Sequence, residues 1–132
     1  MARNAARPLS PHLTVWKPGI HMTVSILNRA MGVGLATVGA VAFLGWIVAM
    51  AAGKEAYETF MAWAAWPPAY VIWIGLTFVY FFHLCAGLRH FVLDVGAGYE
   101  LKSNRMWAWM TVVASFALTA LVWLTAFAKG AF

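Results

Sequence analysis

Residues 59–88, TFMAWAAWPPAYVIWIGLTFVYFFHLCAGL, form a run that contains no Asp, Glu, Lys or Arg. A transmembrane helix needs about 20 mainly apolar residues, so this run is long enough to cross a bilayer. Two further runs without these residue types lie between Arg29 and Lys54 and between Arg105 and Lys129. Because lipid offers no partner to bare backbone polar groups, each run is predicted to form one helix.

The composition of the chain agrees with a membrane protein. Of its 132 residues, 64% are hydrophobic and only 10% are charged. A soluble domain of this size cannot bury so large an apolar fraction, because small proteins expose much of their surface. We therefore predict an all-α integral membrane protein with three transmembrane helices. The formal charge of +5 then reflects membrane topology and does not indicate nucleic-acid binding.

Prolines and glycines limit the predicted helices, which together form a single membrane-anchor domain of residues 1–132. Pro67 and Pro68 begin the second helix, since proline is tolerated in a first helical turn. Gly96 and Gly98 end it. The spans are predicted at approximately residues 25–52, 67–95 and 105–128, after an N-terminal arm of residues 1–21.

Basic residues predict the orientation of the chain, because they gather on the cytoplasmic side of membrane proteins. Only Lys54 and Lys129 lie at the ends predicted to face outward. The other side carries seven basic residues: Arg3, Arg7, Lys17, Arg29, Arg89, Lys102 and Arg105. We therefore expect the N-terminus in the cytoplasm or matrix and the C-terminus outside. The arm shows no secretory signal and no evident transit segment, so we expect the bacterial cytoplasmic (inner) membrane rather than the mitochondrial inner membrane.

One stripe of the second helix carries candidate cofactor ligands. His83, Gly87 and His90 recur at the i, i+4, i+7 spacing that places residues on one helix face, and Asp94 continues the stripe. His83 lies inside the membrane region, where ionisable side chains are costly and functional by default. Gly87 leaves clearance for a flat ring, and Arg89 and His90, nearer the water, suit the propionates of haem. The stripe therefore predicts haem binding, with His83 as an axial ligand of the iron.

An alternative is that His83 is a neutral histidine that hydrogen-bonds a neighbouring helix. If His83 does bind iron, His90 cannot supply the opposite ligand, because about 10 Å separates the two along one helix. No other histidine lies within a predicted span, so a haem with two histidine ligands would need one from another chain. Asp94 is expected either to orient His90 through an i+4 hydrogen bond or to pair at the surface with Arg89 or Arg105.

Ser25 and Arg29 form a second candidate site at the cytoplasmic end of the first helix. Their i+4 spacing puts both side chains on one face. A hydroxyl and a guanidinium at the membrane border suit a quinone, since they bind its carbonyl oxygen and stabilise the anion formed on its reduction. The alternatives are that Ser25 is only a helix N-cap and that Arg29 is only a snorkelling topological charge.

A stripe of small residues on the first helix and two histidines near the N-terminus are interpreted as contact residues rather than as site residues. Gly32, Ala36 and Ala40 form a small-residue stripe at i+4 spacing. Such stripes let helices approach closely, so we prefer helix contact over a cofactor-facing groove. His12 and His21 are interpreted as ordinary surface or partner contacts.

Taken together, these residues resemble the cytochrome b556 subunits of succinate dehydrogenase, the larger membrane anchors of respiratory complex II. The resemblance covers most of the chain and rests on three motifs: Arg7-Pro8-Leu9-Ser10-Pro11-His12-Leu13; Ser25-Ile26-x-x-Arg29 followed by Gly32; and His83-x3-Gly87-x-Arg89-His90-x3-Asp94. It implies that His83 binds haem b opposite a histidine of a second anchor. It also implies that Ser25 and Arg29 help to form the ubiquinone site, with Arg29 near a haem propionate.

The resemblance further implies a complex with a flavoprotein that oxidises succinate to fumarate, an iron–sulfur subunit and a second membrane anchor subunit. This chain would supply a haem ligand and part of the quinone pocket, and no dicarboxylate chemistry. Asn28 stands where the family commonly has a histidine near a propionate, so the haem potential is expected to differ. The alternatives are a haem b anchor of a fumarate reductase or another respiratory dehydrogenase, and a haem-free structural adaptor.

Overall fold

A computed structural model describes Ala6, Pro8 and residues 16–130 of the chain. Three helical segments are long and apolar enough to cross a membrane: Ile20–Ala52, Ala69–Asp94 and Leu101–Ala128. The described residues contain no strand. The prediction of an all-α protein with three transmembrane helices is therefore confirmed, while the orientation of its termini stays a prediction. Most of the arm, including His12, lies outside the described residues.

The first span consists of α1 (Ile20–Gly34), a π-helical turn (Leu35–Gly39) and α2 (Ala40–Ala52). It begins earlier in the chain than predicted, because the Gly19 carbonyl accepts hydrogen bonds from the amides of Met22 and Thr23 at 3.0 and 3.1 Å. Within the π-helical turn, Thr37 Oγ1 donates to the Val33 carbonyl at 2.8 Å. Such side-chain bonds compete with the backbone ladder and bend helices.

A helix that the sequence did not predict, α3 (Lys54–Ala64), connects the first two spans. Gly53 separates it from α2 at φ 108°, in the left-handed region that favours glycine. α3 packs back against α2. The Trp73 indole donates to the Ala64 carbonyl at 2.9 Å, which ties the end of α3 to the second span.

The second and third spans, α4 (Ala69–Asp94) and α5 (Leu101–Ala128), are joined by a short turn and pack against each other. One buried stripe of α5 consists of small residues: Ala108, Thr111, Ser115 and Thr119. The three hydroxyls of this stripe donate to carbonyls four residues earlier at 2.6–3.0 Å. The stripe thus satisfies its own polar groups and lets the helices approach closely.

The buried core lies where α1, α4 and α5 meet. Its members come from all three helices: Val24, Phe82, Ala86 and Ala108. Large apolar side chains elsewhere point outward, as with Val41 at 72% and Val71 at 73% exposure, so lipid or partner chains must cover these faces. Beyond the π-helical turn, the first span parts from α4, and an apolar cavity of about 590 Å³ opens between α2, α3 and α4.

Candidate functional site

His83 contacts α1 through one ring nitrogen. Its Nδ1 lies 3.3 Å from the backbone carbonyl oxygen of Asn28. A carbonyl oxygen only accepts hydrogen bonds, so Nδ1 is the donor in this contact and carries the proton. In a neutral imidazole the free lone pair is then on Nε2, the arrangement seen in metal-binding histidines whose other nitrogen is held by a carbonyl. The contact therefore fixes the ring through Nδ1 and leaves the lone pair of Nε2 out of this bond.

The same contact was predicted by the alternative interpretation, in which His83 only bonds a neighbouring helix. The two interpretations differ in what Nε2 binds. His83 is exposed on the isolated chain, and no residue in the part of the chain that the structure describes bonds its Nε2. An unpaired imidazole nitrogen is costly within a membrane span. Nε2 of His83 is left without a hydrogen-bond partner among the described residues.

Two glycines, Gly32 on α1 and Gly87 on α4, determine how much space there is around the His83 ring. A Cβ on Gly32 would lie 3.0 Å from His83 Cε1 and 3.4 Å from Nδ1, so glycine permits this close approach of α1 to α4. Gly32 is thus a helix-contact residue, as predicted, whereas Ala36 of the same stripe is exposed. A Cβ on Gly87 would meet nothing within 4 Å, so the surface of α4 is open one turn beyond His83.

Gly32→Ala is expected to destabilise the protein, with Gly34→Ala as its matched control. The new methyl group would push the His83 ring away from Asn28, at a cost of about 1–3 kcal/mol for an overpacked contact. A Cβ on Gly34 meets nothing within 4 Å, so alanine should there raise stability through its helix propensity. Thermal unfolding in detergent should give a lower midpoint for the first variant only. Equal midpoints would contradict the close contact at Gly32.

A groove of about 340 Å³ with both polar and apolar lining residues lies where the start of α1, the end of α4 and the start of α5 meet. Three of the predicted site residues line this groove: Ser25, Arg29 and His90. Its further polar lining residues are His21, Arg89 and Asn104. His83 is not part of the lining, since about 10 Å of helix separates it from His90. The structure thus brings the predicted quinone pair and His90 together and leaves His83 beside them, deeper along α4.

The Ser25 hydroxyl is available to a ligand. α1 begins at Ile20 with Gly19 as its N-cap, so Ser25 lies inside the helix and its interpretation as an N-cap is wrong. Hydroxyls inside helices often donate to a carbonyl four residues earlier, as Thr23 does to Gly19 at 3.4 Å. Ser25 makes no such bond to any described residue. Arg29 is exposed and forms no ion pair within the same part of the chain.

Arg89 is a buried cation in the wall of the groove, with only 8% of its surface exposed. One of its terminal nitrogens donates to Asn104 Oδ1 on α5, and its Nε is buried without a hydrogen-bond partner. The expected surface pair with Asp94 does not form, because Arg89 turns toward α5. Among the described residues, Lys54–Glu58 is the only ion pair, and no hydrogen bond joins Asp94 to the histidine four residues before it.

Two lining residues of the groove were not assigned to a site from the sequence. His21 was interpreted as a surface or partner contact, but it lies in the groove beside Ser25. The i+4 relation of these two residues could have revealed it. Asn104 reaches Arg89 from another helix, and such a contact between elements leaves no trace in local spacing.

Comparison with known proteins shows the family to which this chain belongs. The sequence profile described as "Succinate dehydrogenase/Fumarate reductase transmembrane subunit" matches residues 3–122. The chain belongs to this family. Its resemblance to cytochrome b556 subunits is therefore confirmed, and its three apolar spans are those of an integral membrane protein.

Individual members of the succinate dehydrogenase/fumarate reductase transmembrane subunit family align with most of the chain. The succinate dehydrogenase cytochrome b556 subunit of Rickettsia conorii is 36% identical over 118 residues, which cover 89% of this chain and 91% of that protein. The b556 subunit of Paracoccus denitrificans is 31% identical over 125 residues, or 92% of each chain. The mitochondrial cytochrome b560 subunit of Mus musculus is 31% identical over 118 residues, or 87% of this chain and 66% of that protein.

Proposed function

We propose that this chain is a membrane-anchor subunit of a succinate:quinone oxidoreductase. It binds haem b together with a second anchor subunit and contributes to the ubiquinone-reduction site. The observation that carries the proposal is an exposed His83, bonded to α1 through Nδ1, beside a groove lined by Ser25 and Arg29. The names of the bacterial relatives, cytochrome b556 subunits of succinate dehydrogenase, support both the haem and the complex.

The residues around His83 fit a haem. The Asn28 carbonyl holds Nδ1, Nε2 bonds no described residue, and the open surface at Gly87 leaves room for a flat ring against α4. Arg29 and His90 lie nearer the helix ends, where they suit the propionates. A bound haem supplies one-electron redox chemistry. In this chain His83 would hold the iron, and a histidine of the second anchor would supply the other ligand.

Ser25 and Arg29 suit the headgroup of a quinone. The free Ser25 hydroxyl donates a hydrogen bond to a carbonyl oxygen, and Arg29 places a positive charge where that oxygen gains electrons. The buried Arg89 adds a second cation to the wall of the groove. Because the groove lies where helix ends meet, protons from water reach it without crossing the apolar interior.

The proposed partners carry out the chemistry that this chain lacks. A flavoprotein subunit oxidises succinate, an iron–sulfur subunit conducts the electrons, and a second membrane anchor subunit packs beside this one. The exposed apolar faces of the isolated chain leave surface for that anchor and for lipid. We place the complex in the bacterial cytoplasmic (inner) membrane with the N-terminus in the cytoplasm, as the basic residues predict.

Purification of the complex through a tag on this chain tests the proposal. We expect the three partner subunits to co-purify, and the reduced-minus-oxidised spectrum to show b-type haem. Succinate-driven reduction of ubiquinone by a complex without haem would instead identify a structural adaptor, in which His83 only contacts α1. Faster reduction of fumarate than oxidation of succinate would identify the anchor of a fumarate reductase.

A further inference from the structure

We propose that His21 hydrogen-bonds the quinone headgroup and passes protons to it from water. This inference rests on the proposed function, because it requires a quinone in the groove. His21 lies outside the motifs that carry the family resemblance, so it is a feature of this chain rather than of those motifs.

The His21 ring is folded back over the start of α1. A Cβ on Gly19 would lie 2.7 Å from His21 Cε1 and 3.0 Å from Nδ1, so glycine at this position allows the ring to lie there. Nδ1 is buried without a hydrogen-bond partner, and neither ring nitrogen bonds any residue that the structure describes. Buried polar atoms are rarely left unpaired in native proteins. The His21 imidazole in the groove therefore still requires a hydrogen-bond partner from outside the described residues.

The position of His21 matches that of a proton donor. His21, Ser25 and Arg29 follow one another at i, i+4 and i+8 along one face of α1, about 6 Å apart along the axis. All three line the groove. His21 lies in the first turn of the helix, three residues after Pro18, which ends the exposed segment Trp16, Lys17 and Pro18. A headgroup bound at Ser25 is therefore flanked by an imidazole on its aqueous side and by a guanidinium on its membrane side.

A quinone oxygen fits His21 better than a haem propionate does. His83 contacts Asn28, which is seven residues and about 10 Å along α1 from His21. Arg29 and His90 would therefore be better placed than His21 to hold the propionates of a haem bound at His83. Ser25, the proposed hydroxyl donor to the quinone, is the groove-lining residue one helical turn from His21.

In the proposed proton transfer, His21 is the donor and a quinone oxygen is the acceptor. Reduction of a quinone to a quinol takes two electrons and two protons, and the electrons come from the iron–sulfur subunit. An N–H bond of the imidazolium form of His21 breaks as an O–H bond forms on the quinone oxygen that it contacts, and the other quinone oxygen takes its proton directly from water. The imidazole then takes a proton from water and returns to its starting state. Ser25 only donates a hydrogen bond and keeps its proton.

Two substitutions at His21 separate hydrogen bonding from proton transfer. His21→Gln keeps a hydrogen-bond donor but cannot relay protons, whereas His21→Leu removes both functions. Infrared difference spectra of the complex with carbonyl-labelled ubiquinone should show the bound C=O stretch at higher frequency in the Leu variant and near its original frequency in the Gln variant. In both variants kcat for quinone reduction should fall by roughly 100-fold, the scale of general acid–base catalysis. Reduction of an artificial dye by succinate should not change.

Lys17→Gln serves as the control, since it removes an exposed basic side chain from the same segment outside the groove. Free imidazole added to His21→Ala should restore part of kcat, which confirms proton transfer if the larger variants assemble poorly. An unshifted C=O stretch in His21→Leu, or a raised KM with an unchanged kcat, would overturn the inference. A complex with native His21 that neither binds nor reduces quinone would overturn the proposed function itself, and this inference with it.

Discussion

Replacing His83 with leucine is expected to abolish haem binding by the purified complex. Leucine fills a similar space against Gly32 but offers no lone pair to iron. Loss of an outer-shell partner alone lowers metal affinity by about 10–100-fold, so loss of the ligand itself should exceed that range. The reduced-minus-oxidised spectrum, scaled to the amount of this chain, measures the result.

His90→Leu is the matched control, because it removes an imidazole from the same stripe of α4 without removing the proposed ligand. Haem content should persist in this variant, with a shifted potential if His90 contacts a propionate. If His83→Leu left the spectrum unchanged, ligation would be ruled out. The substitution would then remove only the hydrogen bond to Asn28, worth about 0.5–1.5 kcal/mol of stability.

Replacing Arg29 with alanine is expected to lower kcat/KM for ubiquinone by roughly 10–100-fold, while dye reduction by succinate stays constant. The estimate follows from the loss of a hydrogen bond to a charged group, worth about 1.5–3 kcal/mol, when about 1.4 kcal/mol corresponds to a tenfold change in rate. The effect should fall on the quinone step alone, because the groove is remote from any dicarboxylate site. Parallel assays with ubiquinone and with the dye measure the two activities.

Two further variants sharpen this test. Arg29→Lys should retain part of the activity, since lysine keeps the charge but loses the planar pair of donors. Arg105→Ala removes an exposed arginine from α5 outside the groove and should leave quinone reduction unchanged. An equal loss of dye reduction and quinone reduction in Arg29→Ala would point to failed assembly and contradict a role at the quinone.

The spans were predictable from the sequence because a long run without charges has one stable outcome in lipid. The helix ends were less predictable. The first span was expected to begin near residue 25, but the Gly19 carbonyl accepts the first hydrogen bonds of a helix that begins at Ile20. Helix α3 (Lys54–Ala64) was not predicted, because it mixes charged and apolar residues and lacks the long uncharged run that marks a span. It is supported by packing against α2.

Site residues that lie on the same helix could be paired from the sequence, whereas contacts between residues on different helices could not. Residues four apart share a face in any α-helix, so Ser25 and Arg29 could be paired without a structure. Arg89 was expected at the surface, yet its partner is Asn104 on a different helix. A hydrogen bond from His83 to a neighbouring helix was one of the two interpretations, but its acceptor could not be predicted, because it is a backbone carbonyl and every residue has one.

The π-helical turn at Leu35–Gly39 determines how far α2 is rotated about the helix axis relative to α1. Such a turn holds one residue more than an α-helical turn, and one residue corresponds to about 100° of rotation. α1 can therefore present Ser25 and Arg29 to the groove while α2 presents an independent face to α3. Deleting a residue elsewhere in the span would swing one of these faces toward lipid. Deleting one residue within the π-helical turn would instead restore an ordinary α-helical turn. Ser25 and Arg29 would then still face the groove, and α2 would still face α3.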